Sequence, residues 1–204
     1  MLAMLALAMA VATPPKPGEI KTFEDWSIGC DNGRACTAVS LMEVETNENQ
    51  LTLHITRAGI ADAPALLAIP NIEQATPNMR VALVRDDGSV VANASLPPAG
   101  QPLTFTLDAE MVRALIKGRS VTLQAPGGGK LGRASLRGLM AALRAMDTQQ
   151  GRTNTLTALV TPGPLPATSL GPLPPLPSIM PARRVRADVM ELSAADVEGL
   201  QART

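Results

Sequence analysis

Few side chains in this chain of 204 residues are suited to covalent or acid–base chemistry: one histidine, two cysteines and a scatter of carboxylates. A histidine acts as a general base only with a nucleophile or substrate proton in reach. The alternation in LTLHITR puts His54 on the polar face of a strand beside Thr52 and Thr56, with no serine or cysteine nucleophile specifically placed for it. One histidine and two cysteines also fall short of the four ligands that a structural zinc or a cysteine-held iron–sulfur cluster needs. The adjacent carboxylates Glu24-Asp25 and Asp86-Asp87 lie at strand edges and turns, where solvation accounts for them. The stretch from Ala125 to Gly132, APGGGKLG, is glycine-rich like a phosphate loop, but its spacing is wrong and no Ser or Thr follows Lys130. It reads as a flexible loop before a helix. No catalytic residue, metal or cofactor is expected. An enzyme built on His54 or a carboxylate pair, of a hydrolase type, is kept as an alternative.

Charge patterning is more informative. Lysine plus arginine equals aspartate plus glutamate, 18 each, so no global charge points to a nucleic acid or a membrane surface. The distribution is uneven: residues 19–73 hold nine acids and three bases, net −6, whereas residues 113–152 hold eight bases and one acid, net +7. The two regions could pack together and neutralise each other or form separate solvated faces. The functional reading is an arginine-rich face, Arg133, Arg137, Arg144 and Arg152, that meets an unidentified protein or an anionic partner of the cell envelope. Phe23, Trp26 and Phe105 are the sole aromatic residues, too few for a base-stacking nucleic-acid platform.

Cys30 and Cys36 flank Asp31-Asn32-Gly33, a turn sequence tolerant of positive φ. Such a turn brings the two Cβ atoms together, and an oxidising compartment would seal them as a disulfide. A redox-active pair needs the tighter C-x-x-C spacing, so a structural staple is expected. The start of the chain points the same way. Residues 1–12, MLAMLALAMAVA, are apolar and end in Ala10-Val11-Ala12, the small-x-small pattern of a signal-peptide cleavage site. The missing positive charge ahead of them means an internal start within a longer reading frame or an atypical signal. No apolar run reaches the roughly 18 residues of a membrane-spanning helix, so no stable span remains after cleavage. The expected location is the periplasm or the exterior.

The elements that must position these residues are mostly strands. Period-two alternation runs through KTFEDWSIGC, Cys36 to Met42, LTLHITR (Leu51, Leu53 and Ile55 on one face), the hairpin MRVALVRDDGSVVANASL and PLTFTL. Asp108 caps a helix, AEMVRALIKG, which ends at Gly118. A strand SVTLQ follows, then a second helix capped by Ser135 with Leu136, Leu139, Met140, Leu143 and Met146 at spacings of three and four, then a strand TLTALV. The fold class is mainly β: an antiparallel β-sandwich or barrel-like domain with two short helices, over residues 19–160. A proline-rich, extended linker covers 161–182. Residues 183–204 carry a small basic cluster, Arg183 to Arg186 around Val185, then a short helical segment with Ser193 as its cap. So short a piece cannot bury a core alone, so it reads as the possible start of a missing second domain.

KTFEDWSIGCDNGRACTA resembles a bacterial periplasmic family known as domain of unknown function 1176, through Phe23, Asp25, Trp26, Cys30, Asp31, Asn32, Cys36 and Ala38. AMDTQQGRTNTLTALV is similar to a second stretch of that family, through Asp147, Gln150, Gly151, Arg152, Thr157, Ala158, Leu159 and Val160. The opening motif is also similar to the invasion-associated locus B proteins, which are secreted and linked to host-cell entry. The resemblance implies export, a structural disulfide and a β-rich fold, brings no activity, and implies a longer chain with a second cysteine-bearing half. The expected function is a non-enzymatic binding or envelope-accessory module exported by a Gram-negative bacterium. A secreted virulence or invasion-associated factor is the alternative.

Overall fold

The computed structural model describes residues 19–41, 49–70, 72 and 76–167, and the backbone of 183–186 and 189–191. The apolar segment 1–12, most of the linker and the end of the chain lie outside the described residues. Among the described residues the architecture is mainly β, with two larger antiparallel sheets, a separate two-stranded pair and two α-helices. The larger sheet has the order β1 (Lys21–Phe23), β2 (Trp26–Cys30), β3 (Cys36–Ser40), β4 (His54–Arg57), β5 (Ala65–Ile69) and β8 (Leu103–Leu107). The smaller runs β10 (Lys130–Ser135), β9 (Ser120–Gln124), β6 (Arg80–Arg85) and β7 (Val90–Ser95). Alternation along each strand decides the inner face: Trp26, Ile28 and Cys30, then Ile55, then Ala65, Leu67 and Ile69 are buried, and from the other sheet Val81, Leu83, Val121 and Leu123. These side chains and those of both helices form one apolar cluster. Strand β5 was not anticipated, because ALLAI is apolar throughout and shows no alternation to read.

Helix α1 (Ala109–Leu115) starts as expected: the Asp108 carboxylate accepts from the Met111 N–H at 2.7 Å, satisfying a first-turn amide that has no partner within the helix. Helix α2 does not start at Ser135. It spans Leu139–Gln149, and Gly138, at φ 86°, is the residue before it. A Cβ at Gly138 would lie 1.9 Å from the Phe23 carbonyl oxygen, so both backbone conformation and space require glycine there. Ser135 instead ends β10. Its hydroxyl donates to the Asp25 carboxylate at 2.6 Å, and its carbonyl accepts the Trp26 indole N–H at 3.1 Å. The Asp25-Trp26 pair therefore fastens the β1–β2 turn to the entry of α2, which packs over β1, β2 and β3.

Two other expectations are corrected. The glycine-rich stretch is a short 3₁₀ turn (Pro126–Gly128) joining β9 to β10 as a hairpin, with Gly127 and Gly128 both at positive φ, rather than a loop leading to a helix. TLTALV is not a strand, and bridges once, between Thr155 and Leu165. Far along the chain, Arg183–Arg186 and Val189–Glu191 (β11 and β12) pair antiparallel, and the helical segment expected after Ser193 lies outside the described residues.

Candidate functional site

Cys30 and Cys36 stand directly opposite each other in the β2–β3 register and are joined, with an S–S distance of 2.01 Å. The turn between them is fixed by its own groups. The Asp31 carboxylate accepts the Ala35 N–H at 2.8 Å, and Arg34 takes positive φ. The disulfide therefore closes a hairpin that hydrogen bonds already hold.

The four arginines singled out from the sequence are divided by the structure. Arg133, on β10, Arg137, just before α2, and Arg144, on α2, are exposed, while Arg152 is fully buried. Arg137 pairs with Glu24 at 3.1 Å across the solvent-exposed surface. Arg113, Lys117, Arg119 and Lys130 are exposed too. The sole acid of residues 113–152, Asp147, is buried together with Arg152, so the surface of this stretch carries seven bases and no acid of its own.

Arg152 belongs to a buried polar anchor at the far end of α2. Its Nε donates to Gln150 Oε1 at 2.9 Å, one Nη to the Ala61 carbonyl at 2.6 Å and to Thr157 Oγ1 at 3.0 Å, and the other to the Ile60 carbonyl. The Gln150 amide in turn donates to the carbonyls of Arg34, Arg57 and Ala58 at 2.8, 3.0 and 3.2 Å. Arg57, on β4, donates to the Ala63 and Thr157 carbonyls at 3.0 and 2.8 Å and lies 3.7 Å from Asp147. Asp147 accepts the N–H groups of Leu159 and Val160. That last contact bears on the missing strand: the Leu159 and Val160 amides and the Thr157 carbonyl go to side chains, and the Thr155, Leu156 and Ala158 amides go to the carbonyls of Arg152, Leu165 and Thr155, so no strand ladder forms. The anchor thereby ties four segments together: the disulfide turn, the loop after β4, the end of α2 and residues 152–160.

Burial sets the electrostatics. It pushes the Asp147 carboxyl above the ordinary range, opposed by the two backbone donors and the two guanidiniums. It lowers Arg57 to about 10, and the neighbouring Arg152 charge adds to this. Arg152 is lowered by burial as well, against the pull of Asp147 and Asp62. Among the described residues no buried side-chain nitrogen or oxygen lacks a partner.

Beside the anchor runs a groove of about 280 Å³ between the loop before β5, the start of α1 and residues 156–162, with Arg57 in its wall. The other residues considered for chemistry are accounted for locally. His54 faces Val39 and Ala68 across the sheet. Asp25 holds Ser135, Asp86 accepts the Arg119 amide at 3.0 Å, and Asp87 pairs with Arg85. Arg57 and Gln150 were missed as a pair. The available signal was register: Arg57 falls two residues after Leu51, Leu53 and Ile55, which places a cation on the core face.

Among solved structures, one that is similar is the crystal structure of invasion associated protein B from Bartonella henselae, 21% identical, covering 65% of this chain and 99% of that one with a TM-score of 0.47. None of the curated proteins matches. The family model described as protein of unknown function (DUF1176) matches residues 20–204, and the chain belongs to that family.

Proposed function

We propose that this protein is an exported, non-enzymatic binding module whose basic surface, carried by Arg133, Arg137 and Arg144, engages an anionic partner of the cell envelope. The observation that carries the reading is the sorting of charge: the one acid of residues 113–152 is buried with Arg152, leaving seven exposed bases. The disulfide supports export, since such pairs persist in oxidising compartments. No helix among the described residues is long and apolar enough to cross a membrane. The Arg137–Glu24 pair is more than half exposed on both sides, so its loss to a stronger anion costs little.

The test is charge reversal, Arg137→Glu with Arg144→Glu, in the full chain. Binding to vesicles containing phosphatidylglycerol, compared with phosphatidylcholine alone, should fall roughly tenfold or more at low salt while the unfolding midpoint stays put. Equal binding by variant and parent, with the fold intact, overturns the reading.

A further inference from the structure

We propose that the groove beside the anchor binds a small monocarboxylate with a short apolar chain, its carboxylate meeting Arg57. Independently of the basic surface, three features of the groove support this. Its floor and walls are largely apolar, formed by Ala63, Ala65, Leu107, Val112 and Leu159. Its volume of about 280 Å³, at roughly 30 Å³ per water-sized group, suits a ligand of about nine such groups. Its polar feature is a guanidinium that is 94% buried yet not fully used. Arg57 Nε and Nη1 hold the Ala63 and Thr157 carbonyls, but Nη2 has no partner among the described residues. Every buried side-chain nitrogen there does have a partner, so Nη2 is accessible, and Arg57 is among the residues that line this groove.

Arg57 is the one cation in the lining, which also holds Asp62 and Asp108, so an anion is selected at this guanidinium and not by the net charge of the groove. The anchor contains two guanidiniums, Arg57 and Arg152, against one carboxylate, Asp147, which interacts with both. Two further acids line the groove. Asp108 is committed to the first turn of α1, and Asp62 is exposed and acts on Arg152. Arg57 therefore shares its single counter-charge, and a carboxylate at Nη2 would supply the rest through a charge-assisted hydrogen bond. The apolar walls would take the alkyl chain, each buried methylene contributing to affinity.

The experiment is methyl NMR of the full chain titrated with sodium butanoate, hexanoate and octanoate, with 1-hexanol as the uncharged control. Hexanoate at millimolar concentration should shift the methyl signals of Ala63, Ala65, Val112 and Leu159 and leave Leu83 and Val121 in place. 1-Hexanol should bind roughly tenfold more weakly. Asp62→Asn, a surface change, should tighten hexanoate binding several-fold by removing a like charge near the mouth. Absent groove shifts overturn the site. Equal affinity for hexanoate and 1-hexanol, or no response to Asp62→Asn, overturns the assignment of an anion to Arg57.

Discussion

Two sets of arginines in this molecule do opposite things. Arg57 and Arg152 are interior side chains whose donors hold carbonyls from separate segments, whereas Arg133, Arg137 and Arg144 lie on the surface of β10 and α2. Interior guanidiniums have exchanged water for fixed acceptors, so their value lies in completeness: removing one strands several buried partners. Surface guanidiniums remain exposed to water and lose little when changed. The same residue type is architecture in one place and recognition in the other, and the discriminating variable is burial rather than sequence neighbourhood.

The sharpest way to break this contrast is Arg152→Ala. It removes donors to Gln150, Ala61, Ile60 and Thr157 and half of the positive charge around Asp147. The expected cost is about 3–5 kcal/mol in urea unfolding. A loss below about 1 kcal/mol would mean that the anchor is solvated in solution. Next comes the disulfide. Replacing both Cys30 and Cys36 by alanine frees a loop whose closure is worth about 2 kcal/mol. Because Gln150 holds the Arg34 carbonyl inside that loop, its cost should not add to that of Gln150→Ala. Strict additivity in a double-mutant cycle would uncouple turn and anchor.

A subtler effect is pH dependence. The folded carboxyl of Asp147 titrates above the ordinary aspartate value, so the native state holds more protons than the unfolded chain between those two values. Stability relative to Asp147→Asn should therefore fall as pH rises from the ordinary aspartate range through the raised one, and level off above it. A relative stability that rises over that window would mean that the donors and guanidiniums outweigh burial. The smallest effect is expected on the surface: Arg137→Glu with Arg144→Glu should change unfolding free energy by no more than about 1 kcal/mol, about half per site, while altering binding. A large destabilisation would place those arginines with the interior pair.

Much of the strand content was legible because period two survives in each half-buried strand, and the Cys30–Cys36 pairing followed from a turn sequence of the right length. The Asp108 cap was legible for the same local reason. Strand β5 was hidden by its uniform apolarity, and the start of α2 by a serine that has the chemistry of a cap but uses its hydroxyl on Asp25. The anchor was half visible. Gln150 stands out in the sequence only through a family resemblance, and Arg152 is grouped with the surface arginines because charge counting along a chain carries no information about depth.

The sequence by itself determined the periodicity of the strands, the two turns that carry their own hydrogen-bonding residues, and the net charge of each stretch, because all three depend on neighbours a few residues apart. Tertiary structure alone decided which arginines are inside. Arg57 and Arg152 are 95 positions apart, and the carbonyls they hold come from residues brought together only when α2 closes over the larger sheet. A buried guanidinium is stable only where several such acceptors converge, and that convergence is a property of packing rather than of any local stretch of chain.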